Sequence, residues 1–530
     1  MSGETVEAFG RVSRRVGTVF RYGLLASTLV GILMLAVLLV YVLNDAIQPL
    51  TADPGWHLVF FLVFVLPTLG VGWWCYRRSY DTLTTGLLGT VMPAIAALYA
   101  GGLAALFIDV IPTLVWLSFV VALAVPAGVV LALHRTDRDI PFLAELGAVL
   151  AVTAGSLLVI PGLVQEFPTV PADWMVLVLT LGVPEALLIG RWFGGRWSQR
   201  AGRIAGAAIL LGGAAGGAVG MATGIGAIPG VALALFAAVP TGVYVAVVVR
   251  ERPERRVGLL LPAVIVAGAL TGELLVGALG FAGPESWVDW GFLTSTVQSG
   301  GNPSQVGIYS GAVGTILLMF VVAAIAVPAG VGAAVYLEEY APDTTFTRII
   351  DVNISNLAGV PSVVYGLLGL GLFVRHGGQP SGTLLVGGAT LALLVFPIVI
   401  ISSREAIRAV PDSARQASYG MGATRWQTVK NVVLPRAFPG ILTGTILALS
   451  RAIGETAPLL VIGAAQVFGV PDSWNSAIGA MPLQLYVWAS TYASPAFYTT
   501  VLAAGIVVLL TAMLSMNSIA IYVRNHYEQR

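Results

Sequence analysis

The sequence predicts an all-α, polytopic membrane protein with about fourteen transmembrane helices. Its 530 residues are 57% hydrophobic and only 10% charged, and the mean hydropathy is +0.89. Soluble globular domains carry roughly 25% charged residues, so this composition excludes that class. Apolar runs recur along the whole chain, and each is long enough to cross a bilayer as a helix.

The distribution of arginine supports fourteen spans. Arginines cluster after even-numbered runs and are scarce after odd-numbered ones, with Arg375 as the exception. Arginine-rich loops face the cytoplasm, so both termini are predicted to be cytoplasmic. The predicted spans are 22–43, 57–76, 84–107, 112–133, 142–163, 174–190, 204–224, 229–249, 257–279, 309–335, 353–374, 383–402, 438–462 and 497–523.

A change of composition at Arg250–Arg256 divides the chain. Residues 1–250 hold eight Ala/Gly/Val/Leu-rich spans with short loops, and their pattern indicates no function. Residues 251–530 hold six spans with larger polar loops, including 403–437 between the fourth and the fifth. We therefore expect an N-terminal membrane extension followed by a functional unit at 251–530.

Several function classes are excluded by residue counts. Cys75 is the only cysteine and the four histidines are scattered, so the sequence indicates neither a disulfide nor a metal site. A nucleotide-binding P-loop needs G-x4-G-K-[ST], and the only lysine, Lys430, lies in Thr-Val-Lys-Asn. The chain is expected to bind no cofactor and to be no ATPase by itself. Its net charge of +1 gives no indication of nucleic acid binding.

The segment 404–464 is the most informative stretch. Two S/T-x-x-Q patterns, Ser413–Gln416 and Thr424–Gln427, predict two short capped helices, the first beginning at about Ala414. Gly420 and Gly422 permit the positive φ that ends the first helix. Pro435 is expected to close the second.

The second short helix is predicted to carry one apolar face. Trp426, Val429, Val432 and Val433 recur at helical spacing beside basic Arg425. Two interpretations are open: an amphipathic cap lying in the membrane interface, or a surface that binds another protein.

The residues of this loop resemble the EAA loop of ABC-importer permeases, EAA-x3-G-x9-I-x-LP. The sequence has Gln416-Ala417-Ser418, Gly422 and Val432-Val433-Leu434-Pro435 at the family spacing. The resemblance implies an ABC type I importer permease core of six helices whose loop at 403–437 contacts an ATPase subunit. Gln416 stands for the family glutamate, which removes a charge, and Ser418 stands for an alanine.

Further motifs narrow the resemblance to the PstA family of phosphate permeases. They are Asp289–Thr294, Tyr336–Pro342, Asn356–Gly366, Gly454–Leu460 (GETAPLL) and Gln484–Ser490. Membership would imply a prokaryotic cell membrane and three partners besides membrane lipid: a PstC-like permease, PstB-like ABC ATPase subunits that use ATP, and an extracytoplasmic PstS-like phosphate-binding protein. The PstC-type sister subunit and permeases for sulfate, molybdate or phosphonate are alternatives.

A phosphate pathway needs hydrogen-bonding groups and a cation, because an unpaired anion is costly in a low dielectric. Arg451 and Glu455, spaced i, i+4 in span thirteen, are the intramembrane charges that fit. Thr456 beside them, and Asn356 and Ser362 on span eleven, are further pathway candidates. The alternative for Arg451 and Glu455 is a self-neutralising brace, and for the span-eleven polar residues it is helix packing.

Two smaller expectations concern helix ends and helix packing. Glu338 and Glu339 are expected to form a solvated helix end or an ATPase contact. Gly440 and Gly444 form a GxxxG that favours close helix packing.

Two other function classes were weighed against the permease. An ion-coupled secondary transporter would show inverted repeats with broken helices, and an intramembrane enzyme would show a convergent nucleophile, base or metal set. Neither pattern is visible in the sequence.

Overall fold

The structure is a computed structural model that describes residues 14–109, 111–135, 142–165, 174–297, 303–342, 344–464, 471, 473–492 and 494–528. The described residues form helices joined by turns, with one isolated β-bridge between Thr383 and Ala477. The predicted all-α membrane fold is confirmed.

Nine long helices lie in the described residues of the N-terminal part of the chain. They are α1 (Arg14–Ile47), α2 (Pro54–Arg78), α3 (Tyr80–Asp109), α4 (Thr113–Arg135), α5 (Phe142–Gln165), α6 (Met175–Arg196), α7 (Gln199–Thr223), α8 (Ala227–Glu251) and α9 (Leu260–Leu279).

Long and short helices alternate in the rest of the chain. They are α10 (Trp290–Thr294), α11 (Tyr309–Tyr340), α12 (Thr345–Ala358), α13 (Ser362–His376), α14 (Leu384–Arg408), α15 (Asp412–Gly420), α16 (Arg425–Ile453), α17 (Ala457–Val461), α18 (Met481–Thr491) and α19 (Ala503–Glu528).

Eleven helices of the described residues are long and apolar enough to cross a membrane, or twelve if a bent pair counts as one span. Two shorter apolar helices, Thr113–Val129 and Ala151–Val164, coincide with predicted spans four and five. The count of fourteen therefore stays a prediction.

Two predicted spans are wrong in their extent. Span eleven (353–374) is broken, because α12 and α13 meet at a bend of 108° around Gly359 and Pro361. Span thirteen, predicted as 438–462, begins and ends earlier in the structure than predicted, since α16 runs over Arg425–Ile453 and stops at Gly454. Proline disfavours helical conformation in the residue before it, so Pro361 interrupts span eleven.

Four long helices contain a five-residue π turn immediately before an X-Pro pair and continue through the proline. The turns are Phe61–Val65, Val178–Gly182, Ala234–Ala238 and Val429–Val433, followed by Pro67, Pro184, Pro240 and Pro435. Proline lacks an amide hydrogen and clashes with the carbonyl one turn earlier. A π turn shifts the hydrogen-bond register at that point, so each helix continues through its proline.

The core of the C-terminal part is built around α14. Two thirds of its most apolar window is buried, and it packs between α11, α13 and α16. Small residues allow this approach: a Cβ on Gly444 of α16 would lie 2.2 Å from Ser402 Cβ, and one on Gly440 would lie 2.7 Å from Ala406 Cβ. The predicted packing role of this GxxxG is confirmed.

Helix α9 packs against α2 and α3 rather than against the C-terminal core. A Cβ on Gly268 of α9 would lie 2.8 Å from the carbonyl oxygen of Val63. Helix α1 instead packs along α19, at the other end of the sequence. The segments before α2 and after α9 are hydrogen-bonded to each other: the Asp53 amide donates to Ala282 O (3.0 Å), and the Trp287 amide donates to Ala46 O (2.9 Å).

Candidate functional site

The segment 409–434 folds into a helical hairpin. Helix α15 begins at Asp412 after Pro411, which has no side-chain cap. The predicted capping box at Ser413–Gln416 is therefore wrong: α15 begins two residues before the predicted Ala414, so Ser413 lies inside its first turn. The second predicted capping box is confirmed, because Thr424 and Gln427 exchange both hydrogen bonds.

Of the two glycines predicted to end the first helix, one has the positive φ that this turn requires. Gly422 has φ +83° and no atom within 4 Å of the position of its missing Cβ. Gly420 lies in the last turn of α15 with an ordinary negative φ. Only Gly422 therefore needs the conformational freedom of glycine.

A buried hydrogen bond closes the hairpin. The hydroxyls of Ser418 on α15 and Thr428 on α16 lie 2.8 Å apart, and both side chains are buried. Ser418 stands where the family pattern has alanine, so Thr428 supplies the partner that its hydroxyl requires. The neighbouring Gln416 and Ala417 are exposed.

The second helix of the hairpin continues into the membrane. Helix α16 passes Leu434 and Pro435 by way of the π turn Val429–Val433, so the expectation that Pro435 ends it is wrong. Val429 and Val433 are buried against the chain. A movement of the hairpin is thereby connected directly to the core helix α16.

Apolar side chains at the tip of the hairpin face outwards. Met421 is 84% exposed, Trp426 57% and Tyr419 42%. The predicted single apolar face is thus divided: Val429 and Val433 pack inwards, and Trp426 points away. Exposed large apolar side chains grouped on one tip indicate a surface that binds another protein or the membrane interface.

An ion pair joins the hairpin to the end of α11. Glu339 Oε1 accepts hydrogen bonds from Arg415 Nη2 at 3.0 Å and Nε at 3.2 Å, and the Glu339 side chain is only 6% exposed. Arg415 also donates to the carbonyls of Ile407 and Val410. In addition, the Arg425 guanidinium lies over the Tyr340 ring, 5.2 Å from its centroid.

A second set of ion pairs joins α11 and α14 to α12. Arg404 donates from Nε to Glu338 Oε1 (2.7 Å) and from Nη1 to Asp351 Oδ1 (2.6 Å), while Arg408 donates to the same Glu338 oxygen (2.7 Å). The expectation that Glu338 and Glu339 form a solvated helix end is wrong, because Glu338 pairs with two arginines and Glu339 is buried against Arg415.

Sequence reasoning missed Asp351 and the roles of these arginines. A usable signal was present: two acids at the end of α11 and one in the middle of α12 are matched by two arginines of α14 and one of α15. Buried charges are paired, so equal numbers of acids and bases at one level of a bundle indicate contact.

Arg451 and Glu455 form the predicted ion pair, but the pair lies at the end of a helix and not within one. Arg451 Nε and Glu455 Oε1 are 3.3 Å apart, and the side chains are 47% and 17% exposed. Helix α16 ends at Ile453, so Arg451 lies in its last turn and Glu455 beyond it. A cation is favoured at a helix C-terminus, and Arg451 retains exposed surface for a ligand or a neighbouring subunit.

The remaining pathway candidates border the bend of span eleven and the end of α16. Asn356 is exposed in α12, Ser362 begins α13, and Thr456 precedes α17. Helix α13 packs against α17, where a Cβ on Gly366 would lie 2.9 Å from Pro458 Cα. Among the described residues, no group of His, Cys, Asp or Glu could hold a metal ion.

This region is similar to a known family of membrane transport proteins. The family described as binding-protein-dependent transport system inner membrane component matches residues 326–526. Bacillus subtilis (strain 168) has a protein named probable ABC transporter permease protein YqgI. It is 34% identical over 231 residues, covering 43% of this chain and 78% of that protein.

Two further proteins are similar over part of the chain. The phosphate transport system permease protein PstA 1 of Mycobacterium tuberculosis (strain CDC 1551 / Oshkosh) is 37% identical over 181 residues, covering 34% of this chain and 59% of that protein. A solved structure of the MetNI methionine ABC transporter in an inward-facing conformation aligns at 18% identity with a TM-score of 0.33, covering 42% of this chain and 94% of that one.

Proposed function

Because this chain belongs to the binding-protein-dependent transport system inner membrane component family, we propose that it is a permease subunit of an ATP-driven phosphate importer. In this proposal it forms half of the translocation pathway and couples that pathway to a separate ATPase subunit. The observation that carries the proposal is the hairpin 409–434, which has a glycine turn, a closed interior and an exposed apolar tip.

The hairpin has the properties of a docking element. The hydrogen bond between Ser418 and Thr428 joins its two short helices, and Arg415 joins them to α11. The hairpin can therefore move as one body and transmit a displacement. Tyr419, Met421 and Trp426 present an apolar surface that a groove of the ATPase would cover. Burying large side chains of this kind typically supplies much of the energy of an interface.

Phosphate is the substrate that the residues support best. The GETAPLL motif and the PstA-like relatives favour phosphate, and Arg451 offers a planar guanidinium that grips an oxyanion. The exposed side of Arg451 would face the pathway, with Glu455 holding the arginine in place. Asn356, Ser362 and Thr456 would supply hydrogen-bonding groups along the same route.

The proposal includes partners and an orientation. A PstC-like permease would form the other half of the pathway, a PstB-like pair would hydrolyse ATP, and a PstS-like protein would deliver phosphate from outside. The arginine clusters favour a cytoplasmic position for the hairpin and both termini, and the PstA-like relatives favour a prokaryotic cell.

ATPase stimulation tests the proposal. The chain would be purified with the PstC-like, PstB-like and PstS-like proteins of the same genome, and ATP hydrolysis would be measured in lipid discs. We expect the binding protein to stimulate hydrolysis with inorganic phosphate but not with sulfate, molybdate or a phosphonate. Stimulation by another oxyanion in preference to phosphate would reassign the substrate, and a failure to co-purify with the ATPase would overturn the proposed function.

A further inference from the structure

The ion pairs at the base of the hairpin form one balanced cluster that joins the hairpin to three helices of the core. Arg415 belongs to the hairpin, Glu338 and Glu339 to the end of α11, and Asp351 to α12, with Arg404 of α14 between them. Each link is short, from 2.6 to 3.0 Å. The cluster therefore forms a continuous chain of contacts from the hairpin to α12, which leads into the bend before Ser362.

Stability alone does not explain these charges. Replacing a buried ion pair by well-packed apolar residues is commonly neutral or stabilising. The planar guanidinium of Arg404 binds carboxylates on two different helices. This arrangement fixes the relative position of the two helices, and an apolar side chain could not reproduce it. Asp351 is the most exposed acid of the chain of contacts at 35%, so its neutralisation should disturb folding least.

We propose that Arg404 and Arg415 are positioning residues through which a movement of the hairpin reaches α12 and the polar bend at 356–362. This inference rests on the proposed function and adds the route by which ATP hydrolysis would change the pathway. Coupling of this kind requires a packed element that moves as a unit, and the bidentate contact of Arg404 with Asp351 supplies its last link.

The variant Asp351→Asn tests the route, with Asp351→Glu as the rescue and Asp81→Asn as the control. Asp81 also pairs with an arginine, Arg255, at 2.5 Å, but lies outside the cluster. Reconstituted complexes would be compared for subunit composition, basal ATP hydrolysis, stimulation by phosphate-loaded binding protein, and phosphate uptake.

We expect Asp351→Asn to keep composition and basal hydrolysis while uptake per ATP falls about fivefold or more. Asp351→Glu should recover much of it, and Asp81→Asn should match the unaltered chain. Loss of a subunit from the Asp351→Asn complex, or unchanged uptake per ATP, would overturn the route. If the unaltered complex itself shows no phosphate-dependent stimulation, the proposed function fails instead.

An independent observation concerns the division of the chain. The residues before α2 and after α9 are held together by four hydrogen bonds: two join Asp53 and Ala282, one joins Thr51 and Glu285, and one joins Ala46 and Trp287. Within the described part of 54–281, α9 packs on α2 and α3, so the segment closes upon itself. Helix α1, in contrast, packs on α19 of the core.

We infer that residues 54–281 are a membrane module inserted after the first permease helix, and that α1 rather than α9 is that helix. The lengths agree. YqgI has about 300 residues, because the 231 aligned residues are 78% of it. Subtracting the 228 residues of 54–281 from 530 leaves 302. The module touches the core through α3, where a Cβ on Gly102 would lie 2.9 Å from Ile316 of α11.

Two shortened chains separate this inference from a simple N-terminal extension. One lacks 54–281 and joins Asp53 to Ala282 through Gly-Gly-Ser; the other begins at residue 251 and so lacks α1. We expect the first to co-purify with its partner subunits at the level of the full chain, because lipid tails can replace an apolar contact in a bilayer at little cost. The second should lose most of that assembly.

Co-purification does not require transport, so this result is independent of the substrate. Failure of the first chain to insert and assemble, or equal assembly of the second, would overturn the insertion. A third chain that keeps the module but lacks residues 1–47 checks α1 alone, and it should assemble as poorly as the second.

Discussion

The guanidinium of Arg415 is bound on one side by Glu339 and on the other by the carbonyls of Ile407 and Val410. Glu339, by contrast, has Arg415 as its ion-pair partner and is almost completely buried. Without Glu339, Arg415 would therefore keep polar partners, whereas Glu339 would lose its ion-pair partner without Arg415.

Removal of the cation should consequently cost more than removal of the anion. Arg415→Gln leaves a buried carboxylate without a cation and is expected to lower the unfolding free energy by about 3–5 kcal/mol. Glu339→Gln leaves Arg415 with its carbonyl acceptors and should cost clearly less. Thermal unfolding of the two variants in detergent measures the order, with Glu405→Gln, a 66%-exposed partner of Arg408, as the neutral control. Equal losses would contradict the asymmetry.

The turn at Gly422 should be sensitive to any side chain. With φ +83° and open space around it, Gly422→Ala meets no clash, yet an L-residue in this conformation costs about 1–2 kcal/mol. Gly420→Ala is the matched control, since Gly420 is equally unobstructed but helical. We expect Gly422→Ala to reduce phosphate-stimulated ATP hydrolysis, Gly422→Val to reduce it further, and Gly420→Ala to leave it unchanged. Identical behaviour of the two alanine variants would show that the positive φ of Gly422 is not needed for this stimulation.

The hydroxyl pair inside the hairpin should show strong coupling between its members. Ser418→Ala or Thr428→Val alone leaves a buried hydroxyl without its partner, at a cost of about 1–3 kcal/mol. The double variant removes both groups and should be more stable than the sum of the single losses predicts. A double-mutant cycle from thermal unfolding measures this coupling. Additive losses would show that the 2.8 Å contact contributes nothing.

Arg451 and Glu455 allow pathway and brace to be distinguished. If Arg451 meets phosphate, Arg451→Gln and the double change with Glu455→Gln should both abolish uptake, because removing Glu455 cannot restore the cation. Arg451→Lys should keep partial uptake, since lysine retains the charge but loses the planar fork. Uptake by these variants at matched membrane levels decides the question. Recovery in the double variant would leave Arg451 a structural brace.

The sequence could predict the elements that depend on local chemistry. The membrane class follows from composition, the Thr424–Gln427 cap from residue type and spacing, and the close approach of α16 to α14 from Gly440 and Gly444. The first hairpin helix was misplaced because two start signals compete there. Pro411 and Ser413 are both favourable near a helix start, and the proline dominates.

The parts that could not be predicted depend on contacts between distant segments. Nothing near Pro435 indicates that a π turn lets α16 continue, and nothing near Glu339 names Arg415, 76 residues away. The packing of α9 against α2 could not be predicted either, because the apolar helices of this chain have similar sequences. Local patterns determine helices, whereas pairing in a bilayer depends on small residues and buried charges.

ATP-driven release of radiolabelled phosphate from the lumen of inverted vesicles is the most direct test of the proposed permease function. The vesicles would carry the full chain with its PstC-like and PstB-like partners, and phosphate-loaded binding protein would be enclosed in the lumen, which corresponds to the outside of the cell. Movement out of the vesicles should require ATP, persist with excess sulfate or molybdate, and fall to background when Arg451→Gln replaces the unaltered chain. Movement that is independent of ATP, or that sulfate competes away, would contradict the assignment.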